Sequence, residues 1–506
     1  MNILFSTQSD SLQLFNSLRN EMGKHVTINK TAFLLSDSWH YQQWLDEHTD
    51  FEKNDYTILK EWDVTSKRNN KVDYKELERY ENELGGAGLF ASIVADRRLF
   101  MGPNCTFTQD YRRRFTDEEL LSILLEGLKQ VESVFDKNNP SCVVTFICVT
   151  FFDYLVYLFA KSRGVRFLNL RPTRIKNFVT FASCINDPSP EFIDKYEDIF
   201  KSSSKKTPEA KGYIEQIQSS HAEYEGVVKP SDKPAQRVTM PFTKIFGGVK
   251  LVRNWYRFRK SISYNDNHCP GVIKPVVYRA VINPLRAKRV NRTLKNHYVT
   301  RDDMKGKRFA FYPLHTEPEV SLLVYGKPYV NQIEVIRAIA MSLPADMFLV
   351  IKEHPWMLGK RSVDSYRKLL NIPKIKIAFP SDSARYWIES CDLVTILTSS
   401  VGLEAVMLQK PVITLGHCPF NAFPESMVRY CKNLSLLPIE IKNLLDDYDY
   451  DVKSAESYVA AILELSVGVN LYSELLGRKY TFHEKDSLYQ DEISKLSRYL
   501  LDKIEH

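Results

Sequence analysis

Three short polar clusters, each closing an apolar run, hold the residue types that grip a phosphate. Lys352-Glu353-His354-Pro355 follows Phe348–Ile351, and Thr398-Ser399-Ser400 follows Leu393–Leu397. His315-Thr316-Glu317-Pro318-Glu319 follows Phe311-Tyr312-Pro313-Leu314. Lysine and histidine offer charge or N–H donors, serine and threonine offer hydroxyls, and glutamates accept from sugar hydroxyls. Together they suit a nucleotide phosphate whose negative charge grows as it departs. Pro355 fixes the chain just after His354, and Pro313 and Pro318 restrain the loop around His315. His315 is expected as a donor to the donor sugar or its phosphate, with Glu317 or Glu319 holding hydroxyls.

Alternative uses of the same residues stand beside these. Ser399 and Ser400 precede a helix-forming run, Val401–Leu408, so they either cap a helix or present an anion site at its N-terminus. Gly402 would keep the first turn thin for a ligand, and Glu404, one turn in, would reach ribose hydroxyls. Lys352 either adds to the phosphate site or pairs with Glu353. His315 and Glu317, two apart in an extended loop, could hold a metal, but recognition of the donor sugar and its phosphate is the preferred reading, and no metal or other cofactor is expected.

Such clusters need strands to aim them. Apolar runs of four to six residues that end in polar loops suit parallel strands covered on both faces. In open α/β sheets, ligands sit outside the carboxyl ends of those strands. Strand and helix patterns alternate along the first 190 residues: Asn2–Phe5, Ser11–Met22, Ala32–Leu35, Asp117–Phe135, Val143–Val149 and Val165–Leu170. They resume at Arg308–Tyr312 and continue through Gln332–Ser342, Met347–Lys352, Ser362–Leu370, Ile375–Ala378 and Ser383–Cys391. The expectation is α/β with two doubly wound sheets. Its parts are a first domain at 1–235, a basic linker with an amphipathic helix at 236–304, a second domain at 305–440, and C-terminal helices at 441–506. Residues 186–235, rich in Ser, Pro and Lys and with few large apolar groups except in one amphipathic stretch, read as weakly structured linker.

The HP and SS pair, with the GLEA and KPVITLG ending, resembles the capsule-polysaccharide-biosynthesis group of bacterial glycosyltransferases, which includes Kdo transferases and is related in layout to sialyltransferases. Phe311–Glu319 and Asn331-Gln332 are similar to a signature of one branch. The resemblance covers roughly residues 308–420 and is faint elsewhere. It implies the GT-B fold, two Rossmann-like domains facing across a cleft, and a CMP-activated sugar such as Kdo or another nonulosonic acid. It also implies that His354, Ser399 and Ser400 hold the CMP phosphate and Glu404 the ribose, and that a C-terminal tail packs back on the first domain. The same HP and SS pattern occurs in CDP-glycerol-type polymer phosphotransferases, which keeps transfer of a phosphopolyol open. A non-catalytic scaffold with this fold would have no need of intact KEHP and TSS.

Glycosyl transfer needs a base for the acceptor hydroxyl, and the GT-B pattern places it in the first domain. Asp153, after Val143–Val149, and Asp10, after Asn2–Phe5, are the candidates. Thr150-Phe151-Phe152-Asp153 is equally a capping box, and Asp96-Arg97-Arg98 is either an ion pair or an acceptor element. Arg171 and Arg174, at the end of Val165–Leu170, suit an anionic acceptor, whether lipid-linked or oligosaccharide.

Composition narrows the setting. At 506 residues the chain fits two domains. Its eight cysteines form no CxxC pair, so a reducing cytoplasm is expected. The N-terminus carries no signal-peptide pattern. Val143–Ala160 is apolar but shorter than a membrane span and reads as strand turning into helix. The net charge is +7, yet residues 244–307 hold sixteen Lys and Arg against three acids. Within them Ile245, Val249, Val252, Trp255 and Tyr256 share one helical face, and Lys250, Arg253, Arg257 and Lys260 another. That pattern fits either an interdomain helix or an anionic membrane surface. The second option would make the protein peripheral at the inner face of the cytoplasmic membrane. No motif for binding nucleic acid accompanies the charge.

Overall fold

The computed structural model describes residues 1–86, 88–101, 115–220, 256, 277–477 and 486–505. Apart from Tyr256, the amphipathic stretch 244–260 lies outside them. Two seven-stranded sheets organise the chain. Six strands begin the first: β1 Asn2–Thr7, β2 Lys30–Leu35, β3 Tyr56–Lys60, β4 Cys142–Thr145, β5 Arg166–Pro172 and β6 Phe178–Ala182. Seven make the second: β7 Tyr298–Val299, β8 Arg308–Pro313, β9 Met347–Lys352, β10 Ile375–Ala378, β11 Leu393–Ile396, β12 Val412–Thr414 and β13 Val428–Tyr430. The last, β14 Val467–Gly468, returns to the first sheet and pairs antiparallel with β6.

The orders are β3-β2-β1-β4-β5-β6-β14 and β10-β9-β8-β11-β12-β13, with β7 beyond β10. All pairings are parallel except those of β6. Each sheet therefore reverses direction at one place, between β1 and β4 in the first and between β8 and β11 in the second. Central strands such as β1, β8 and β9 are buried along almost their whole length, which is why their sequences are continuously apolar rather than alternating. This is a GT-B-like pair of Rossmann-like α/β domains.

Helices cover both sheets, and local chemistry sets their ends. Helix Asp117–Asn138 opens with a capping box, Thr116 with Glu119, and stops at Asn139, whose φ is +43°. It packs so closely on helix Phe151–Ser162 that a Cβ on Gly127 would fall 2.4 Å from the Phe151 ring. The stretch 143–160 is strand and then helix, as its composition suggested, with the break at Phe146–Thr150. Among the described residues no helix is long and apolar enough to cross a membrane.

Residues 190–219 differ from the expected linker. They form helices Pro190–Ser202 and Thr207–Ser219. Phe192, Tyr196, Ile199, Tyr213, Ile214 and Ile217 enter the core that covers one face of the second sheet, alongside helix Val452–Glu464. Arg385 fastens the second helix, donating to Gln218 O at 2.8 Å, to Ser220 O at 2.6 Å and to Ile217 O. Their polar outer faces give the segment its linker-like composition. The C-terminal helix Ser487–Glu505 packs on helix Ser11–Met22 of the first domain, as the resemblance implied.

Candidate functional site

The crevice between β8 and β11 gathers the three clusters. The His315 loop follows β8, the Lys352 loop follows β9, and Thr398-Ser399-Ser400 follows β11. His354 is half-buried, Ser399 half-buried and Ser400 exposed. The Trp356 N–H donates to His354 Nδ1 at 3.2 Å, so a neutral His354 carries its proton on Nε2, ready to donate. Burial lowers the His354 pKa, Lys352 and Lys360 lower it further, and Glu353 partly opposes them. Lys352 donates to Pro380 O at 3.2 Å rather than pairing with Glu353. Burial pulls its pKa down to about 8 against the nearby Asp382 carboxylate.

Beneath these groups lies a buried ionic network that composition does not announce. Arg361 is 1% exposed. Its Nη1 meets Glu317 Oε1 at 2.8 Å and its Nε meets Glu353 Oε2 at 2.7 Å. A third donor reaches His315 O at 3.3 Å. Tyr366 adds a bond to Glu353 at 2.7 Å, and Gln332 clamps the first loop, accepting from His315 N at 2.8 Å and donating to Glu317. Burial opposes the Arg361 charge, but Glu353 and Glu317 outweigh it and raise its pKa. One arginine thus ties the loop after β8 to the loop after β9.

Several expected roles change with this geometry. Glu317 and Glu353 do not face substrate; both are buried and held by Arg361. His315 is 7% exposed, and its Nε2 accepts from the Thr398 N–H at 3.4 Å. Burial, then the nearby His354 and Arg361, lower its pKa to about 4, so it is a neutral brace between loops rather than a donor. Gly402 does not thin the helix for a ligand: a Cβ there would fall 2.5 Å from Ile396 and 2.7 Å from Phe420, both in the core. The amides of Val401 and Gly402 bond to Ser399, so those two N–H groups are taken up within the loop. Pro355 starts a short 3-10 turn, and Glu404 stands half-buried on helix Val401–Met407. Glu319 is solvent-exposed in the cleft. The protein packed around its carboxyl still raises its pKa by partial desolvation, against a bond from Thr316 and the nearby Arg97, Arg174 and Lys360.

The first domain meets this region directly. Arg97 donates to Pro318 O at 3.1 Å, and Lys327 donates to Tyr154 Oη at 2.8 Å. Asp153 is 1% exposed and closes the capping box of helix Phe151–Ser162. It accepts from Ser6 Oγ at 2.6 Å and from the Val149 and Thr150 amides. Burial raises its pKa to about 6 in spite of those bonds. Its place is to join the ends of β1 and β4, out of reach of an acceptor. Asp10 is open: its side chain is 47% exposed, with His40 Nε2 3.6 Å away. Arg171 is buried in an ion pair with Asp187 at 2.8 Å, so of the two arginines only Arg174 remains in the cleft. Asp96 resolves as a buried ion pair with Arg98 at 3.0 Å. Among the described residues no group of three His, Cys, Asp or Glu is arranged to hold a metal.

Fold and site together define a GT-B-like α/β protein with a cluster of basic, imidazole and hydroxyl side chains where its second sheet changes direction. Residues 255–423, a stretch that includes the whole second-sheet site, match the model of the capsule polysaccharide biosynthesis protein family. Protein FixF of Sinorhizobium fredii is 32% identical over 134 residues, 26% of this chain and 31% of that protein. The match thus takes in less than a third of FixF. Two solved Thermosulfurimonas dismutans KpsC domains are similar at low identity. The β-Kdo 2,7 transferase is 13% identical, over 68% of this chain and 83% of that one, with a TM-score of 0.30. The β-Kdo 2,4 transferase is 11% identical, over 66% and 83%, with a TM-score of 0.33. UDP-GlcNAc 2-epimerase from Neisseria meningitidis is 11% identical, over 92% and 98%, with a TM-score of 0.24.

Proposed function

We propose that this protein is a glycosyltransferase of surface-polysaccharide synthesis that uses a CMP-activated sugar, Kdo or another nonulosonic acid. The observation that carries the reading is the convergence of His354, Ser399 and Ser400 on one crevice, braced from below by Arg361. In the reaction the acceptor oxygen forms a bond to the anomeric carbon as that carbon's bond to the CMP phosphate oxygen breaks. The acceptor proton passes to Asp10, the open carboxylate of the first domain. The charge that collects on CMP meets the His354 Nε2–H, the two serine hydroxyls and the field of Lys352 and Lys360. Glu404 is assigned to the ribose, and Glu319 and Arg174 to the sugar and acceptor at the cleft. None of these roles requires a metal.

The test is calorimetric titration of the full chain with CMP, CDP, UDP and GDP, with and without EDTA. Preferential CMP binding that survives EDTA is expected. Preference for UDP or GDP would overturn the donor class. Release of CMP with a phosphodiester in the product would turn the reading toward phosphopolyol transfer.

A further inference from the structure

One helix beside the donor loop presents a face that the site does not use. Helix Asn283–Leu294 continues from the π-helical turn Tyr278–Ile282. Its inner side is fixed to the loop that carries His354. A Cβ on Gly359 would fall 2.3 Å from Asn283 O and 3.1 Å from the Ala287 side chain. Arg286 Nη1 donates to Lys360 O at 2.7 Å, and Val290 and Leu294 are wholly buried.

The outer side is different in kind. Val277, Val281 and Leu285, four residues apart, are 43%, 49% and 59% exposed. Lys288, Arg289, Arg292 and Lys295 carry the same face onward at helical spacing, all exposed. No Asp or Glu occurs from residue 277 to residue 301. A row of aliphatic side chains running into a row of unbalanced cations is the pattern of a helix lying in a lipid interface. Such a helix sinks its apolar side chains to the headgroup boundary while its cations meet anionic headgroups.

We infer that this face docks the protein on an anionic phospholipid surface. Charge complementarity selects the sign of the partner. The aliphatic trio selects lipid over nucleic acid, which would engage the cations and leave Val281 and Leu285 in water. Docking is independent of which sugar is moved. If the proposed glycosyl transfer holds, it also sets the donor loop beside the membrane, where a lipid-linked acceptor is presented.

The experiment is co-sedimentation of the full chain with phosphatidylcholine vesicles and with phosphatidylcholine–phosphatidylglycerol vesicles, at low and high salt. Wild type is expected to sediment with the anionic vesicles only, and less at high salt. The pair Val281→Asp with Leu285→Asp, and separately Lys288→Glu with Arg292→Glu, should each lower the bound fraction roughly tenfold or more. Melting temperature and CMP binding should stay as in wild type, because these side chains are exposed and apart from the nucleotide site. Sedimentation of either variant pair like wild type would overturn the inference, as would equal binding to neutral vesicles or no binding at all. Retention on single-stranded RNA that survives the aspartate pair and exceeds vesicle binding would overturn it in favour of a nucleic acid.

Discussion

The two sheets reverse direction in the same way and arm the reversal differently. Between β8 and β11 the upper groups are histidine, lysine and hydroxyls, and the carboxylates Glu317 and Glu353 lie underneath, both paired with Arg361. Between β1 and β4 the carboxylates Asp153 and Asp96 are also buried, but each serves local structure, and Asp10 is left as the open acid. One crevice rests on a buried ionic network that ties two loops together. The other is stable without its candidate chemical group, which sits on the rim. On the proposed function, the scaffold divides holding from reacting: buried ion pairs fix the geometry of one crevice, and Asp10 is the solvent-reachable base of the other.

If that division is real, removing Asp10 should harm turnover alone. Asp10→Asn is expected to slow transfer by about 10²–10⁴-fold, the usual span for a general base, with CMP affinity and melting temperature unchanged. Loss of CMP binding in that variant would erase the distinction between the crevices. The opposite pattern should follow at Arg361. Arg361→Leu leaves two buried carboxylates without a cationic partner and should cost about 3–5 kcal/mol of stability, read from chemical denaturation. Arg361→Lys keeps the charge but not the fork; it should fold while binding CMP more weakly. Wild-type CMP affinity in a folded Arg361→Lys would show that the brace does not shape the site.

A third prediction concerns pH. His315 titrates near its ordinary 6.5 when unfolded and at about 4 when folded, so the unfolded chain binds the extra proton. Stability should therefore fall as pH drops from 6.5 toward 4, by at most about 3 kcal/mol from this group. Asp153, raised to about 6, works in the other direction between pH 6 and 4. The comparison of wild type with His315→Asn isolates the histidine, and parallel stability curves for the two would refute its buried neutral role. Smaller again is the serine pair. Ser399→Ala with Ser400→Ala should weaken CMP binding about 10–100-fold, because each of the two hydroxyl bonds contributes a net of about 1 kcal/mol. Calorimetry reads the effect directly, and undiminished affinity would remove these hydroxyls from the phosphate site.

The sequence showed the outline of the second-sheet site because its chemistry follows its strands. A run such as Phe348–Ile351 followed by Lys-Glu-His-Pro declares both the strand and the end at which a ligand would sit. What it hid was the difference between a polar group that faces the crevice and one that lies beneath it. Glu317 and Glu353 look like ligands for sugar hydroxyls until Arg361 is seen between them. Arg361 itself, seven residues after His354 and next to Lys360, reads as one more surface cation. Gly402 was misread for a related reason: its neighbours Ile396 and Phe420 are brought to it only by the fold. In the first domain, the capping-box spacing of Thr150 and Asp153 was visible, and it was the reading that described Asp153. Helices Pro190–Ser202 and Thr207–Ser219 escaped because serine, proline and lysine crowd their outer faces, although Phe192, Tyr196 and Ile199 already marked an inner one.

The return of the chain at β14 carries a consequence for how the molecule is made. That strand pairs with β6 near residues 178–179, and helix Ser487–Glu505 covers helix Ser11–Met22, so the sheet that is synthesised first is closed by segments made after the second sheet. The second sheet, wholly contained between residues 298 and 430, can assemble while the first still has an open edge and an uncovered helix. An edge strand held open during translation is a template for pairing with another nascent chain. Birth order and domain order are thus reversed here: the half that emerges first is the half that finishes last.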